Sequence, residues 1–324
     1  MTQTAYLIVN FGGPRNLKEV EPFLRSLLTD KDVIRSNFPQ VFHNFLFGRI
    51  AKKRSKIISH DYAKLGGGSP IWTDTEFIAD ALRLKLQAPV LTFHRYLPAT
   101  HVSFIEELNN LECEEIRVFP MFPQFTYATT GSVARFFLKY FSDNIIRKLR
   151  WVKSYPSHPA FIHSTKSAIS EFLAKTGIKE EEVFLLFSAH GLPKTFVEKG
   201  DLYEYECRTS YHLVMESFLK AQSLLCYQSK FGPGECLRPY TVDVCEKIEK
   251  YTDRKYCVFV PLSFTSDHIE TLFEVEEQYM PLLAKRGFHP FRVPALNRRP
   301  DWIEAITRIL SDFSPCTTCM LVRK

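Results

Sequence analysis

Two short segments join strand-forming residues to side chains that can move a proton or ligate a metal ion. Val183-Phe-Leu-Leu-Phe187 runs into Ser188-Ala-His190-Gly-Leu-Pro193, and Tyr256-Cys-Val-Phe-Val-Pro-Leu262 runs into Ser263-Phe-Thr-Ser-Asp267-His268-Ile-Glu270. In open α/β sheets ligands sit in the crevice beyond the carboxyl ends of the strands, so two neighbouring strands that each deliver titratable groups there predict one shared site. His190, Asp267, His268 and Glu270 are expected to meet in it.

A neutral imidazole exchanges a proton near pH 7, and His190, set among small residues after an apolar strand, is placed to act as a base. The plainer alternative is a hydrogen-bonded structural histidine. Asp267, Glu270 and Glu274 stand at i, i+3 and i+7, which puts all three carboxylates on one face of an α-helix while Ile269, Leu272 and Phe273 turn to the core. If the first turn widens to a π-type bulge, Glu270, Glu274 and Gln278 line up instead. Neighbouring carboxylates repel when both are ionised, so one holds its proton more readily, as a relay requires. Acids favoured by the helix macrodipole would account for Asp267 and Glu270 equally well, but not for the histidine between them. For a metal, an imidazole with two or three carboxylates suits Fe(II) or a similar divalent ion without spelling out a closed ligand set. A site that hands its ion on is expected to hold it incompletely.

The elements that must position these groups follow from the pattern of apolar runs. Tyr6 to Phe11, Val90 to Phe93, Glu115 to Pro120, Arg150 to Ser154, Val183 to Phe187 and Cys257 to Leu262 have strand length, with helical patterns between them. That alternation predicts parallel sheets covered by helices, an α/β fold. Helices are expected over Leu17 to Leu28, Asp74 to Leu86 and Glu204 to Leu225. The prolines of Trp151-Val-Lys-Ser-Tyr-Pro-Ser-His-Pro159 mark the best boundary between two similar halves of about four strands each. We expect a first domain of 1–150, to which 300–324 returns through the amphipathic Asp301 to Asp312 segment, and a second of 151–299 carrying the histidine and the acidic helix.

With 324 residues, 45% hydrophobic and 24% charged, the chain can bury a large core. A net charge of +6, spread along the chain, gives no basic stripe for nucleic acid. The local exception is 38–56, where Phe38, Phe42, Phe45, Leu46 and Phe47 precede Arg49-Ile-Ala-Lys-Lys-Arg-Ser-Lys56, a combination suited to an anion or to peripheral membrane contact. No run approaches the ~20 apolar residues of a spanning helix. The start of the chain has no basic leader, which predicts a cytoplasmic protein with at most a peripheral membrane attachment. Without an export signal the eight cysteines are expected as thiols or metal ligands rather than disulfides. Gly66-Gly-Gly-Ser-Pro70 offers closely spaced amides, yet it lacks a P-loop lysine and the order of a dinucleotide site; a tight turn with positive φ explains it as well.

Together these residues resemble the ferrochelatase family, which inserts ferrous iron into a porphyrin. The resemblance rests on Leu7-Ile-Val-Asn-Phe-Gly-Gly-Pro14, Tyr62 with Gly66-Gly-Gly-Ser-Pro70, Arg95-Tyr96, Pro123-Gln124 with Thr129-Thr-Gly-Ser132, Ser188-Ala-His190, Gln228-Ser-Lys230 and Phe264-Thr-Ser-Asp-His-Ile-Glu-Thr-Leu272. It covers nearly the whole chain, and the last motif with Ser-Ala-His is its most specific part. It implies two Rossmann-like, chelatase-like domains, the first forming the lip of the porphyrin pocket. It implies His190 and Glu270 as the catalytic and metal-contacting pair, Asp267, His268 and Glu274 as the proton or metal relay, and Arg54, Tyr62, Ser69, Arg95 and Tyr96 as porphyrin-binding residues. The implied reaction is insertion of Fe(II) into protoporphyrin IX with release of two protons, the last step of haem synthesis, with no cofactor beyond the iron substrate and with a monomer or homodimer as its form. Coproporphyrin III or another divalent metal is the alternative substrate. A non-catalytic porphyrin or haem carrier is the alternative class, and it would not need the acidic track.

Three departures from the family pattern stand out. Gln278 replaces an acid that continues the track in the animal enzyme. Cys236 stands where many relatives carry a tryptophan against the porphyrin. Cys316-Thr-Thr-Cys319 resembles part of a four-cysteine [2Fe-2S] set, but no third cysteine follows and the fourth position is Tyr127, so a cluster is not expected.

Overall fold

The structure, a computed structural model, describes residues 2–229 and 234–323; Lys230 of the Gln228-Ser-Lys230 motif, and Gly232 and Pro233 ahead of Cys236, lie outside the described residues. The chain forms two units, 1–154 with 306–324, and 155–305.

The first unit is built on strands β1 (Thr2–Asn10), β2 (Val90–His94), β3 (Cys113–Pro120) and β4 (Leu149–Trp151), all parallel, in the order β2-β1-β3-β4. The second repeats the plan with β5 (Val183–His190), β6 (Gln222–Gln228), β7 (Tyr256–Pro261) and β8 (His289–Arg292), in the order β6-β5-β7-β8. Parallel strands are buried on both faces, which is why β5 is a continuous Val-Phe-Leu-Leu-Phe run with every residue buried as far as Ala189.

In the first unit Phe93 lies 5.0 Å from the rings of both Phe136 and Phe137, in a core closed by Phe104 and the fully buried Trp151. In the second, Phe184, Leu186, Phe259, Val275 and Tyr279 pack one face of the sheet. Burial at about 25 cal/mol per Å² of apolar surface makes these layers the main source of stability.

One expected element is different. The helix expected over Glu204 to Leu225 ends at Met215, and Gln222–Gln228 is strand β6. Leu224, Leu225, Cys226 and Tyr227 pair with β5, so an apolar stretch that periodicity reads as helix is drawn into the sheet by its neighbour. β8 was likewise not among the expected strands; its polar His289 and Arg292 hide it. The Gly66-Gly67 pair is a helix-ending turn: φ is +91° and +95°, and its amides donate to Ala63 O and Tyr62 O, which leaves them unavailable to cradle a phosphate. No helix among the described residues is long and apolar enough to cross a membrane.

Candidate active site at the ends of strands β5 and β7

His190 is the last residue of β5, and the chain turns away immediately through Gly191, whose amide donates to Gln228 O at 2.6 Å; a Cβ there would stand 2.7 Å from that same oxygen, so only glycine lets the strands part so closely. Beyond β7 the chain enters a π-helix over Glu270–Tyr279, ten residues long, with the Met280 amide donating to Val275 O five residues back. A wider turn is the arrangement in which Glu270, Glu274 and Gln278 are expected to line up; the structure has the π turn, with Gln278 exposed.

This geometry brings His190 Nδ1 to 2.8 Å from Glu270 Oε2. Ser229, directly after β6, donates its hydroxyl to Glu274 Oε2 in a short hydrogen bond and reaches Glu270 Oε2 at 3.4 Å. Gln228 Nε2 donates to Glu270 O at 3.0 Å and to Glu274 Oε2 at 3.5 Å, while its own oxygen accepts from Ser188. The result is an unbroken chain of imidazole, carboxylate, hydroxyl and second carboxylate, with His190 and Glu270 keeping 32% and 22% of their side-chain surface exposed.

The electrostatics separate the two glutamates. Burial disfavours the Glu270 carboxylate, but the charge and hydrogen bond of His190 outweigh it and hold the group far below the usual carboxylate range. Burial and the neighbouring charge of Glu270 push Glu274 up to about 7. For His190, burial is overcome by Glu270 and Glu274, and its pKa is raised. With Glu270 ionised, Nδ1 is the donor of the His190–Glu270 bond, and Nε2 presents a lone pair when the imidazole is in its neutral form. His268 is the opposite case: burial lowers its pKa, its Nδ1 donates to Ser266 O at 3.2 Å, and its Nε2 lies 3.9 Å from Glu270 Oε2. It therefore stands as a neutral imidazole facing the same carboxylate.

Of the expected site residues, the structure gathers His190, His268, Glu270 and Glu274, but not Asp267. Asp267 precedes the helix and is turned to Arg292 Nη1 at 2.8 Å and Asn297 Nδ2 at 2.8 Å. Gln278 is exposed, and the π turn brings Tyr279 to the track in its place, its hydroxyl accepting from the Ser229 amide at 3.4 Å. Ser229 and Tyr279 are not among the expected site residues, although Ser229 lies in the Gln228-Ser-Lys230 motif; its backbone is left-handed (φ +56°).

The residues expected on the porphyrin side all belong to the first unit. Arg54 is exposed on the helix Gln40–Lys64, whereas Tyr62 and Ser69 are buried. Arg95 pairs with Asp30 Oδ2 at 2.6 Å, and the fully buried Tyr96 donates to the same oxygen at 2.9 Å, with Ser132 Oγ joining both. Cys236 is fully buried. Cys316 is a buried thiol whose pKa burial raises, its backbone paired with Trp151, while Cys319 is exposed. Among the described residues no group of three or more His, Cys, Asp or Glu side chains is arranged to hold a metal ion.

Comparison with known proteins places the chain in a family. The family model described as Ferrochelatase matches residues 3–312. A ferrochelatase of Chlamydia caviae is 44% identical over 307 residues, covering 95% of each chain, and one of Chlamydia pneumoniae is 42% identical over 323 residues, covering 100% of this chain and 97% of its own. A Chlamydia trachomatis ferrochelatase is 39% identical over 305 residues. Among solved structures, SirB from Bacillus subtilis with Fe3+ aligns over 96% of both chains with a TM-score of 0.50 at 13% identity, a likeness of fold.

Proposed function

The chain belongs to the ferrochelatase family, and from that premise we propose that it inserts Fe(II) into protoporphyrin IX, releasing two protons, with His190 and Glu270 at the reacting centre. The observation that carries this assignment is the 2.8 Å contact between His190 and Glu270, backed by Glu274 through Ser229.

A porphyrin enters the reaction with two pyrrole N–H protons and must lose both as the metal enters. His190 Nε2 offers a lone pair to the first, and Glu270, kept ionised, stabilises the imidazolium that results. Glu274, titrating near neutrality, is matched to pass protons on, since an efficient relay group has a pKa close to the working pH. Once the imidazole has passed that proton on, it takes the second in the same way; in its neutral form the same lone pair and the Glu270 oxygens are the donors a ferrous ion meets, a nitrogen and oxygen set that Fe(II) accepts. Two donors hold an ion weakly, which suits delivery. A planar macrocycle keeps its lone pairs in the ring plane, so binding must also bend it, a distortion of about 1–5 kcal/mol drawn from remote contacts. Arg54, Tyr62, Ser69, Arg95 and Tyr96 serve the porphyrin side. Asp267 and His268 act around Glu270, one anchoring the backbone and one facing the carboxylate.

We infer no resident cofactor: a [2Fe-2S] cluster takes four thiolates, and Cys316 is a buried thiol beside a single exposed Cys319. The enzyme acts in the cytoplasm, attached peripherally to a membrane through 38–56. Val41, Phe42, Phe45 and Ile57 are 83%, 49%, 61% and 66% exposed along the helix that bears the exposed Arg49, Lys52, Lys53, Arg54 and Lys56. Such pairing of apolar and basic groups suits an anionic surface, at about 1 kcal/mol per basic residue.

The test is an anaerobic assay of porphyrin fluorescence loss, with protoporphyrin IX and coproporphyrin III offered in parallel to Fe(II). Turnover of protoporphyrin IX at the higher kcat/KM is the expected result. Tight porphyrin binding without metal insertion would make the protein a carrier.

A further inference from the structure

The π-helix that carries Glu270 and Glu274 is gripped at two points by one side chain from another strand. Arg292, the last residue of β8, donates from Nη1 to Asp267 Oδ1 at 2.8 Å, just ahead of the helix, and from Nε to Glu276 Oε1 at 2.8 Å, beyond Glu274. The Arg292 side chain is only 10% exposed and that of Asp267 11%. Asp267 is further tied down: its amide donates to Asn297 Oδ1 at 2.7 Å, Asn297 Nδ2 returns to Asp267 Oδ2 at 2.8 Å, and Thr271 Oγ1 donates to Asp267 Oδ1 at 2.8 Å. Thr271 in turn accepts from the His268 amide at 3.0 Å. Asn297 meets Asp267 from a left-handed backbone, φ +45°, a conformation that needs surrounding contacts to persist.

These bonds bracket the two glutamates and touch neither. A π-helix of this length is rare, because the widened turn gives poorer backbone geometry than an α-helix, and it persists where side chains fix it. Relaxation toward an α-helix would rotate Glu274 about the axis relative to Glu270 and draw Tyr279 away from Ser229. The guanidinium fork is suited to the task, since it presents donors in a rigid plane to two carboxylates at once, which a lysine cannot do.

We propose that Arg292 is a positioning residue for the Glu270–Glu274 pair, gripping Asp267 and Glu276 so that the π-helix keeps the register that sets Glu270 against His190. The inference rests on the roles given above to His190 and Glu270, and it assigns Asp267 a place in the scaffold of the site. Breaking a nearly buried pair from one side leaves the other charge uncompensated, so the effect reaches the backbone that Asp267 holds.

The experiment compares Arg292→Met, Arg292→Lys and the milder Glu276→Gln, whose carboxylate is 43% exposed, with the wild type. One readout needs no turnover: at fixed pH, imidazole NMR of the folded protein follows the downfield Nδ1 proton of the His190–Glu270 hydrogen bond. We expect that signal to be weakened in Glu276→Gln and Arg292→Lys and lost in Arg292→Met. Metal insertion is expected to fall roughly 10- to 100-fold in kcat for Arg292→Met, with KM for the porphyrin unchanged, since small misplacements of reacting groups cost about that much. In a Glu270→Gln background, adding Glu276→Gln or Arg292→Met should cause no further loss in kcat, because the path to the chemistry is already cut. A folded Glu276→Gln or Arg292→Met protein with the proton signal and kcat of the wild type overturns the proposal, as do losses that simply add to that of Glu270→Gln. An altered proton signal in a wild-type background that shows no metal insertion would retain the positioning role and reject the chemistry.

Discussion

The two sheets end in the same way and do different things there. Val9 in β1 lies opposite Pro120 in β3, and Ser188 in β5 lies opposite Pro261 in β7; the amides of Met121 and Leu262 close the two ladders on Val9 O and Ser188 O. Counted from these matched pairs, Phe11-Gly-Gly-Pro14 stands where His190-Gly-Leu-Pro193 does, and Thr129 stands where Glu270 does. Both β3 and β7 lead into a π-helix, Tyr127–Gly131 in one unit and Glu270–Tyr279 in the other. In the first unit the position equivalent to His190 holds an aromatic ring, Phe11, packed 4.6 Å from Tyr96 and 6.1 Å from Phe23. One scaffold thus offers an apolar end and a titratable end. Strand order and backbone turns make the place, and the residue types decide whether it performs chemistry.

The contrast is sharpest if the equivalent residues are removed in turn. His190→Ala is expected to lower kcat by about 10²–10⁴-fold, the usual worth of a positioned acid–base group, while leaving thermal stability close to that of the wild type. Phe11→Ala is expected to do the reverse, costing about 2 kcal/mol of stability, below the range for a fully buried ring because Phe11 is only partly buried. Denaturant unfolding and steady-state kinetics on both variants check the pair; a Phe11 variant as inactive as His190→Ala and equally stable would erase the distinction.

A subtler effect concerns Glu274. Its folded pKa, about 7, exceeds that of an unfolded glutamate, so its contribution to stability is fully present below the unfolded value near 4.5 and is lost as pH rises through 7. Glu274→Gln has no proton to lose, and its stability relative to the wild type should therefore improve between pH 5 and pH 8. Allowing for partial exposure, the change is on the order of 1 kcal/mol. Chemical denaturation across that range reads it, and a pH-independent difference would contradict the placement of Glu274 beside an ionised Glu270. The smallest effect is expected at Gln278. Because Gln278 is exposed and Tyr279 occupies the inner position, Gln278→Glu should leave kcat within about twofold and stability within about 0.5 kcal/mol. A large gain in activity would mean that the acidic track continues through 278.

Much of this was legible in the residues. Strand-length apolar runs ending in His190 and in the Asp267 to Glu270 cluster gave away the sheets and the location of the site, because parallel strands are apolar throughout and their carboxyl ends collect ligands. The spacing of Glu270 and Glu274 leaves both an α- and a π-type turn open; Arg292 and Asn297, which bond to Asp267 and Glu276 at this segment, are distant in sequence. Gln228 and Ser229, though part of the Gln228-Ser-Lys230 motif, are not read as site residues, because Gln222 to Leu225 just ahead of them reads as the tail of a helix until β5 is beside it. Asp267 was grouped with the other acids for the same reason, since its partners sit on and beyond β8.

The carboxylate facing His190 is expected to serve the chemistry and not the capture of the porphyrin. Glu270→Gln keeps the shape and removes the charge, and porphyrin affinity measured by fluorescence titration alongside anaerobic single-turnover iron insertion separates the two. Affinity within a few-fold of wild type with insertion slowed by about 10²–10⁴-fold is the expected result. Insertion at the wild-type rate, or a loss that only mirrors weakened porphyrin binding, would contradict it.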